Sequence, residues 1–371
     1  MFVTKVGLTM RLIEPSKLKP GMVLAKNLYG KQRELLLSAD SVLSDSLIAK
    51  IKKSDCDGVY ITGGSENDPN VKGIISTKLK ENTVRAVRNF FNGIDKGDAV
   101  MTQAAFASMK HLLDEIIDEI STDKNAMINM VDLKVFDDYT YYHCVSVGAL
   151  SIMVGVAAGM NRSGLYKLGM GALLHDLGKI FIPKEILNKL GPLSYDEFEI
   201  MKKHSQFGSD YLKRQSEIPL ESVIAVLTHH ERYDAKGYPL GLPANKQTLE
   251  GKIIAICDNY DAMTSDRPYR KAFSPSEAIE HLMGNAGVMF DPKILEIFIK
   301  KIVPYPVGTK VDLSNGKKGI VIENFPNSYV RPKIQIIPED GDESDNLIYD
   351  LCNDQSLLNV TVIGINKPKD T

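Results

Sequence analysis

The fold of this chain is decided by the stretch Leu173-Leu174-His175-Asp176-Leu177-Gly178-Lys179, where a histidine and an aspartate stand together near the end of an apolar helical run. Neighbouring helical residues point about 100° apart, so both side chains can address one site from a helix end. The two oxygens of Asp176 can bridge two metal ions about 3.5–4 Å apart. If the helix persists, Lys179 shares a face with His175 and offers a fixed positive charge to a phosphate or a leaving oxygen. Gly178 weakens that continuity and is typical of a helix end.

Other histidines extend this motif into an ordered series. Five of the chain's seven histidines belong to it, and an aspartate closes it; the members are His143, His175, His204, His229, His230 and Asp258. Neutral imidazoles and carboxylates are the ligand set of two-metal hydrolytic sites. Asp258 lies in an apolar helical run, where a carboxylate is costly to bury unless it is paired or bound to metal. Asp261, three residues later, shares the same helical face.

Single members of the series have plainer interpretations. His204 alone, on an amphipathic segment, is typical of a surface histidine. The pair His229-His230 alone could stabilise a helix C-terminus by interacting with its dipole. The concentration of histidines beside a His-Asp pair and a buried aspartate favours a metal site over these interpretations.

Length and composition indicate a soluble globular protein of two or three domains, with 371 residues, 43% hydrophobic and 25% charged. A formal net charge of −2 leaves no footprint for binding DNA or an anionic membrane surface. The start of the chain is interrupted by Lys5 and Arg11, and no other segment approaches a spanning length, so we expect a cytoplasmic protein without membrane insertion. Four widely spaced cysteines without a Cys-x-x-Cys pair predict free thiols.

Four regions follow from the patterning. Residues 1–68 read as a small N-terminal α/β module, 69–124 as a helical linker or dimerisation region, 125–303 as a helical catalytic domain, and 304–371 as a β-rich module. Apolar residues spaced by three and four predict nine helices, at 79–93, 101–121, 139–160, 165–176, 194–213, 219–230, 250–265, 275–285 and 292–301. The chain is therefore expected to be mainly α, with β-containing modules at both ends.

The motifs resemble those of the HD superfamily of metal-dependent phosphohydrolases, and in particular its HD-GYP branch. His175-Asp176 matches the HD signature, and residues 229–239 (His-His-Glu-Arg-Tyr-Asp-Ala-Lys-Gly-Tyr-Pro) are similar to the pattern HHExxDGxGYP. Ala235 stands where that pattern often has glycine. Residues 258–270 match the family stretch DxYDAMxxxRPYR. The resemblance covers about residues 125–300, and the N-terminal module is similar to accessory domains that precede HD-GYP domains.

The resemblance implies an all-helical HD-type metal phosphohydrolase domain, flanked by small N-terminal α/β and C-terminal β modules, that holds two divalent metals. One metal would be bound by His143, His175, Asp176 and Asp258, and Asp176 would bridge to a second metal bound by His204, His229 and His230. Some relatives bind a third metal through a glutamate at the position of Tyr139, so we expect two here. The ligand types suit iron or manganese, with zinc or nickel less favoured, and the resemblance favours iron.

The resemblance further implies hydrolysis of cyclic di-GMP, a bacterial second messenger. Catalytic roles fall to Asp176, Lys179 and Asp261, while Lys179, Asp261, Arg267 and Arg270 match positions that surround the substrate phosphates. Gly237, Tyr238 and Pro239 would border the substrate cleft or dock a cyclase (GGDEF-type) domain. Plainer interpretations make the two arginines surface cations and the Gly-Tyr-Pro segment an ordinary turn.

The expected reaction is attack on phosphorus by a hydroxide that two metals activate, which opens the ring to linear pGpG, and a second cleavage yields GMP. Two alternatives stay open. The protein could be a phosphodiesterase that prefers hybrid cyclic GMP-AMP, or it could be a receptor that binds the nucleotide with negligible turnover. The intact ligand set favours an enzyme over the receptor. Helices within residues 79–121 could also form a homodimer, although such amphipathic helices are usually core packing.

Overall fold

A computed structural model describes residues 10–13, 15, 18–24, 28–29, 35–37, 41–53, 59–62, 74–122, 139–189, 191–265, 273, 275–305, 307–325, 328, 330–337 and 347–365. The chain divides into two compact units, one comprising residues 1–71 with 366–371 and the other residues 72–365.

The first unit is a small α/β module. Its elements are β1 (Met10–Ile13), β2 (Val23–Leu24), β3 (Leu28–Tyr29), β4 (Leu35–Leu37), α1 (Asp45–Lys53) and β5 (Val59–Thr62). An antiparallel sheet of order β1-β5-β2 and a hairpin of β3 and β4 surround a core that includes Leu24, Ile51 and Ile61. Within residues 18–24, only Val23–Leu24 form a strand, because Gly21 adopts φ 86° and turns the chain.

The second unit is mainly helical. Its helices are α2 (Thr77–Lys96), α3 (Ala99–Thr122), α4 (Tyr139–Ala157), α5 (Arg162–Leu174), α6 (Lys184–Leu187), α7 (Tyr195–Lys202), α8 (His204–Leu212), α9 (Leu220–Thr228), α10 (Leu249–Thr264), α11 (Pro275–Gly284) and α12 (Pro292–Ile299). The predicted helices are all present, but their ends differ. The predicted helix 194–213 is two helices, because the chain breaks at Lys203.

One hydrophobic core unites these helices. Buried side chains of α2 and α3, such as Phe91 and Leu113, belong to the same cluster as Leu150 of α4 and Ile254 of α10. The close approach of α3 to α5 requires a glycine, since a Cβ on Gly169 would lie 2.6 Å from a methyl carbon of Leu113. The segment predicted as a linker or dimerisation region therefore contributes to the core that supports the helical domain.

Helix α4 is the most apolar element of the second unit. Residues 140–157 form one stretch long and apolar enough to cross a membrane, against the expectation that no segment approaches that length. The stretch is 72% buried inside the structure. A buried helix that is hydrophobic on all sides is typical of a protein core, and α4 is packed in that way against α5 and α10.

The C-terminal residues of this unit form an antiparallel sheet. Its strands are β6 (Lys310–Leu313), β7 (Lys318–Glu323), β8 (Lys333–Ile336), β9 (Ile348–Asp350) and β10 (Val362–Ile365), in the order β10-β6-β7-β8-β9. A turn at Asn315-Gly316 joins β6 to β7, with Gly316 at φ 84°. The sheet has its own small core, which includes Val311, Val321 and Ile334.

Candidate metal centre

The predicted ligands lie at helix ends. Helix α5 ends at Leu174, and His175 is its C-cap residue with φ −56°. The chain then forms a 3-10 turn over Leu177–Phe181. The helix therefore does not persist to Lys179. Instead the turn brings Lys179 close to Asp176, and its Nζ donates a hydrogen bond to Asp176 Oδ2 at 2.7 Å.

A second helix end carries His204. It is the first residue of α8, immediately after the break at Lys203, and it is buried. Helix α8 lies against the 3-10 turn so closely that a Cβ on Gly178 would stand 1.8 Å from the His204 carbonyl oxygen and 2.6 Å from the Gly208 nitrogen. Gly178 is thus required by a backbone contact that links the His-Asp motif to the His204 helix.

Replacement of Gly178 by alanine is expected to lower the free energy of unfolding by about 3 kcal/mol, because the neighbouring atoms are backbone and cannot rotate away. The melting temperature should fall by about 6–12 °C. Gly284→Ala is the matched control, since a Cβ at this last residue of α11 meets nothing within 4 Å. Equal melting temperatures for the two variants, by differential scanning calorimetry, would refute the close contact.

The other ligands come from three further helices. His143 lies in the first turns of α4, and Asp258 lies in α10. His229 is the C-cap residue of α9, and His230 follows it. Helix α10 packs against both α4 and α9, and α9 packs against α5. Side chains from positions more than 100 residues apart are brought into one centre in this way.

The distances define two groups of donor atoms that share Asp176. One group contains His143, His175 and Asp258, and the other His204, His229 and His230. A third set joins the two, because His175 and His229 also group with Asp176; the donor atoms of each set lie within 4.8 Å of one another. Asp176 Oδ2 lies 3.8 Å from His143 Nε2 and 3.6 Å from His175 Nε2, and its Oδ1 lies 3.8 Å from His204 Nε2. The carboxylate therefore stands between the groups, with one oxygen toward each.

The imidazoles are oriented by their Nδ1 atoms. The Nδ1 atoms of three histidines lie at 2.7–2.8 Å from the backbone carbonyl three residues earlier, in the pairs His175–Ala172, His204–Met201 and His229–Val226. A carbonyl only accepts, so these Nδ1 atoms carry the proton and the Nε2 atoms are left as acceptors. His175 Nε2 is buried and has no hydrogen-bond partner among the described residues. A buried acceptor lone pair facing carboxylates fits a bound cation.

Electrostatics also fit a cation. Burial lowers the pKa of His175, His204 and His229, and it lowers the pKa of His230 to about 3, so these imidazoles are neutral ligands near pH 7. Burial opposes the ionised form of Asp176, but Lys179 and the neighbouring imidazoles outweigh it and hold the pKa of Asp176 well below its usual range.

His143 behaves differently from the other histidines. Burial opposes its charge, but hydrogen bonds to Asp258 and Asp261 raise the pKa of His143 well above its usual value. Its Nε2 lies 3.0 Å from Asp258 Oδ1, and its Nδ1 lies 2.6 Å from Asp261 Oδ2. A metal held at His143 Nε2 would face the same Asp258 oxygen, so protonation of Nε2 and metal binding would compete for this position.

The Gly-Tyr-Pro segment borders this centre. The Tyr238 ring lies 4.7 Å from the His230 ring, centroid to centroid, and 6.5 Å from that of His204. Gly237 passes so close to the chain before it that a Cβ would stand 2.3 Å from the Arg232 nitrogen. This segment is therefore more than an ordinary turn, since it forms one wall beside two predicted ligands.

Glu231 secures this loop and was not singled out from the sequence. Its side chain is buried, and its two carboxylate oxygens accept the backbone N–H groups of Leu240 and Leu242 at 2.8 and 2.9 Å. Gln247 adds hydrogen bonds from its side-chain amide to the carbonyls of Arg232 and Leu242, both at 2.7 Å. The acidic residue directly after the His-His pair was the available signal for this anchor.

Ala235, at the position where the family pattern often has glycine, adopts φ 61°. A Cβ costs about 1–2 kcal/mol in this left-handed region, so its removal stabilises the folded state. Glycine also raises the entropy of the unfolded chain, which cancels part of that stabilisation. We expect Ala235→Gly to stabilise the protein by about 0.5–1 kcal/mol. Ala104→Gly, at an exposed position inside α3, should instead destabilise it by about 0.5–1 kcal/mol. Thermal melts that move both variants in the same direction would contradict the strain at Ala235.

The predicted substrate-binding residues differ in exposure and in their distance from the predicted ligands. Lys179 is accessible, with 31% of its side chain exposed, and Tyr238 is at the wall of the centre. Asp261 is only 2% exposed and faces His143. Arg267 and Arg270 lie outside the described residues.

The sequence that carries this centre is similar to that of known proteins. Residues 115–294 match the HD domain model. The chain is 37% identical over 251 residues to cyclic di-GMP phosphodiesterase PA4108 of Pseudomonas aeruginosa, which covers 68% of this chain and 59% of the relative. It is 40% identical over 166 residues to a cyclic di-GMP phosphodiesterase of Thermotoga maritima, covering 44% and 45%.

A further relative carries a different substrate in its name. The chain is 36% identical over 128 residues to 3'3'-cGAMP-specific phosphodiesterase 2 of Vibrio cholerae, covering 34% of this chain and 24% of the relative. The chain thus spans between about a quarter and three fifths of the lengths of these relatives. The match to the HD domain model confirms the family expected from the motifs and, with the clustered histidines and carboxylates, implies binding of divalent metal. Residues 115–294 of this chain belong to the HD domain family.

Proposed function

We propose that this protein is a metal-dependent phosphodiesterase that hydrolyses cyclic di-GMP to pGpG, GMP or both. The observation that carries the proposal is the convergence of two groups of imidazole and carboxylate donors on Asp176, with the cation of Lys179 2.7 Å away. The relatives named as cyclic di-GMP phosphodiesterases support this choice of substrate. As part of this proposal, the protein acts in second-messenger signalling in the cytoplasm.

The residues present fit two divalent metals. His143, His175 and Asp258 would hold one, His204, His229 and His230 the other, and Asp176 would bridge them. Imidazole and carboxylate donors without thiolate suit iron or manganese. The resemblance to the HD-GYP branch makes iron our first choice, ahead of zinc and nickel. Bound metals would supply Lewis-acid stabilisation of a phosphoryl oxygen and a nucleophile at neutral pH.

The chain's own residues prepare the site for an anionic substrate. Lys179 Nζ is held by Asp176, and 31% of the Lys179 side chain is exposed, so the ammonium can pair with a phosphate oxygen or with a leaving oxygen as negative charge develops there. Tyr238 packs beside His230 and excludes water from that side of the centre. The carbonyl contacts of His175, His204 and His229 keep their tautomers fixed throughout the reaction.

The Gly-Tyr-Pro loop and the arginines complete the proposal. Glu231 and Gln247 hold the loop in one conformation, which suits a wall of the substrate cleft or a docking surface for a cyclase (GGDEF-type) domain. Arg267 and Arg270 would add cations for the second phosphate of the cyclic dinucleotide. We also propose that two copies of the chain form a homodimer through α2 and α3.

Hybrid cyclic GMP-AMP is the second candidate substrate, because a relative of 36% identity carries that specificity in its name. The two nucleotides share their phosphodiester linkages and differ in one base. The metal centre and Lys179 act on the shared part, so base contacts alone would separate them. A receptor with negligible turnover is the remaining alternative.

The test is anaerobic purification with metal analysis, followed by chromatography of the products from each cyclic dinucleotide. Two metals per chain and conversion of cyclic di-GMP to pGpG or GMP are the expected result. Faster turnover of cyclic GMP-AMP would change the substrate and keep the mechanism. Metal-loaded protein that binds both nucleotides and cleaves neither would replace the enzyme with the receptor.

A further inference from the structure

The imidazoles of the metal centre are oriented in two different ways. His175, His204 and His229 each direct Nδ1 to a neutral backbone carbonyl three residues earlier. His143 directs Nδ1 to a carboxylate, Asp261 Oδ2, at 2.6 Å. This partner comes from α10, 118 residues further along the chain, so it is a tertiary contact and does not follow from helix geometry.

Asp261 is placed for this one contact. It is 2% exposed, and its Oδ1 has no hydrogen-bond partner among the described residues. Burying a carboxylate costs several kcal/mol, and a single buried pair repays this poorly. Stability is therefore a weak reason for a carboxylate at this position, and a functional reason connected with His143 is favoured.

The two donor groups also differ in charge. The group around His143 contains the carboxylate of Asp258, shares Asp176, and has Asp261 directly behind its imidazole. The group of His204, His229 and His230 has three neutral imidazoles, shares Asp176, and approaches Asp258 only through His230 Nδ1, at 3.9 Å from Asp258 Oδ2. A divalent cation is attracted more strongly by the first group, because more negative charge surrounds it.

We propose that Asp261 is a positioning residue that makes the metal position around His143 the tighter of the two. A histidine that donates its second N–H to a carboxylate is fixed in orientation and becomes a more basic ligand. His143 Nε2 already faces the oxygen of Asp258 at 3.0 Å, as a metal ligand of that group must. The inference rests on the proposed metal centre.

This role differs from the one that the family resemblance implies for Asp261. A substrate contact requires an accessible side chain, and a carboxylate beside a phosphate would repel it. Asp261 is instead buried on the far side of the His143 ring from Asp258. It acts on the reaction through His143 and does not touch the substrate.

The test is titration of the chelator-stripped full chain with Mn²⁺, followed by electron paramagnetic resonance of free and bound ion. The native protein should show two classes of site with different affinity. Asp261→Asn should weaken the tighter class by about 10–100-fold and leave the weaker class within about twofold. Asparagine has the same size and still accepts the Nδ1–H, so the variant should fold, which circular dichroism and a thermal melt would verify.

Two further variants assign the classes. His230→Ala should weaken the other class, since His230 belongs only to the second group. Asp210→Asn, on the helix that carries His204 and hydrogen-bonded to Gln206, should bind Mn²⁺ as the native protein does.

Native affinity in Asp261→Asn, or equal weakening of both classes, would overturn the inference while leaving the metal centre in place. A native chain that binds no Mn²⁺, Fe²⁺ or Zn²⁺ would instead remove the proposed metal centre, and the inference with it.

Discussion

Asp176→Asn is expected to abolish turnover of cyclic di-GMP together with metal binding. The carboxylate stands 3.6–3.8 Å from imidazole Nε2 atoms of both donor groups, so it is the ligand that both metals would share. Asparagine keeps the size but lacks the charge and has one oxygen in place of two. Loss of about 4 kcal/mol of stabilisation at the metals corresponds to a decrease in kcat of about 10³-fold.

The measurement combines metal analysis of the purified variant with product chromatography. His175→Ala should give the same result, because the buried Nε2 of His175 has no described partner and faces the centre. Asp95→Asn, at an exposed position on α2, is the control and should retain native metal and turnover. Full activity in metal-depleted Asp176→Asn would exclude the proposed mechanism.

Lys179→Met should lower kcat by about 10²–10³-fold while the metals stay bound. The Lys179 ammonium is held 2.7 Å from Asp176 Oδ2 and reaches the accessible side of the centre. The positive charge of Lys179 stabilises the negative charge that develops in the transition state. Methionine preserves most of the side-chain volume of lysine without the positive charge. Because Lys179 also counters the charge of Asp176, bound metal should take over that part of its role.

Steady-state kinetics on metal-loaded protein separate these effects. A fall in kcat with little change in KM would indicate an interaction made mainly in the transition state, whereas a rise in KM alone would indicate substrate binding. Lys293→Met, at an exposed position near the start of α12, is the control cation. Native kcat and KM in Lys179→Met would remove Lys179 from the catalytic residues.

Much of the helical architecture was predictable from the sequence because it depends on local periodicity. Helices α4, α9 and α10 lie within a few residues of their predicted ranges. Helix ends were less predictable. The break at Lys203 and the end of α5 at Leu174 depend on the backbone contact between Gly178 and His204, which joins parts of the chain that are distant in sequence.

The candidate site was also predictable only in part from the sequence. The spacing of His175-Asp176, the His229-His230 pair and Asp258 was sufficient to predict a metal site and the HD family. It was not sufficient to predict that Lys179 contacts Asp176 through a 3-10 turn, or that Glu231 secures the loop carrying Tyr238. Those contacts depend on how loops fold back, and residue spacing carries no information about that.

The sequence by itself determined the residue types of the metal centre, their order and the family, because ligand chemistry is a property of side chains. Only the tertiary structure decided which donors group together and what stands behind each imidazole. Three histidines use the backbone carbonyl three residues earlier in the chain, and His143 uses Asp261 from another helix. The physical reason is that orientation and local charge depend on distances across the core, and packing alone sets those distances.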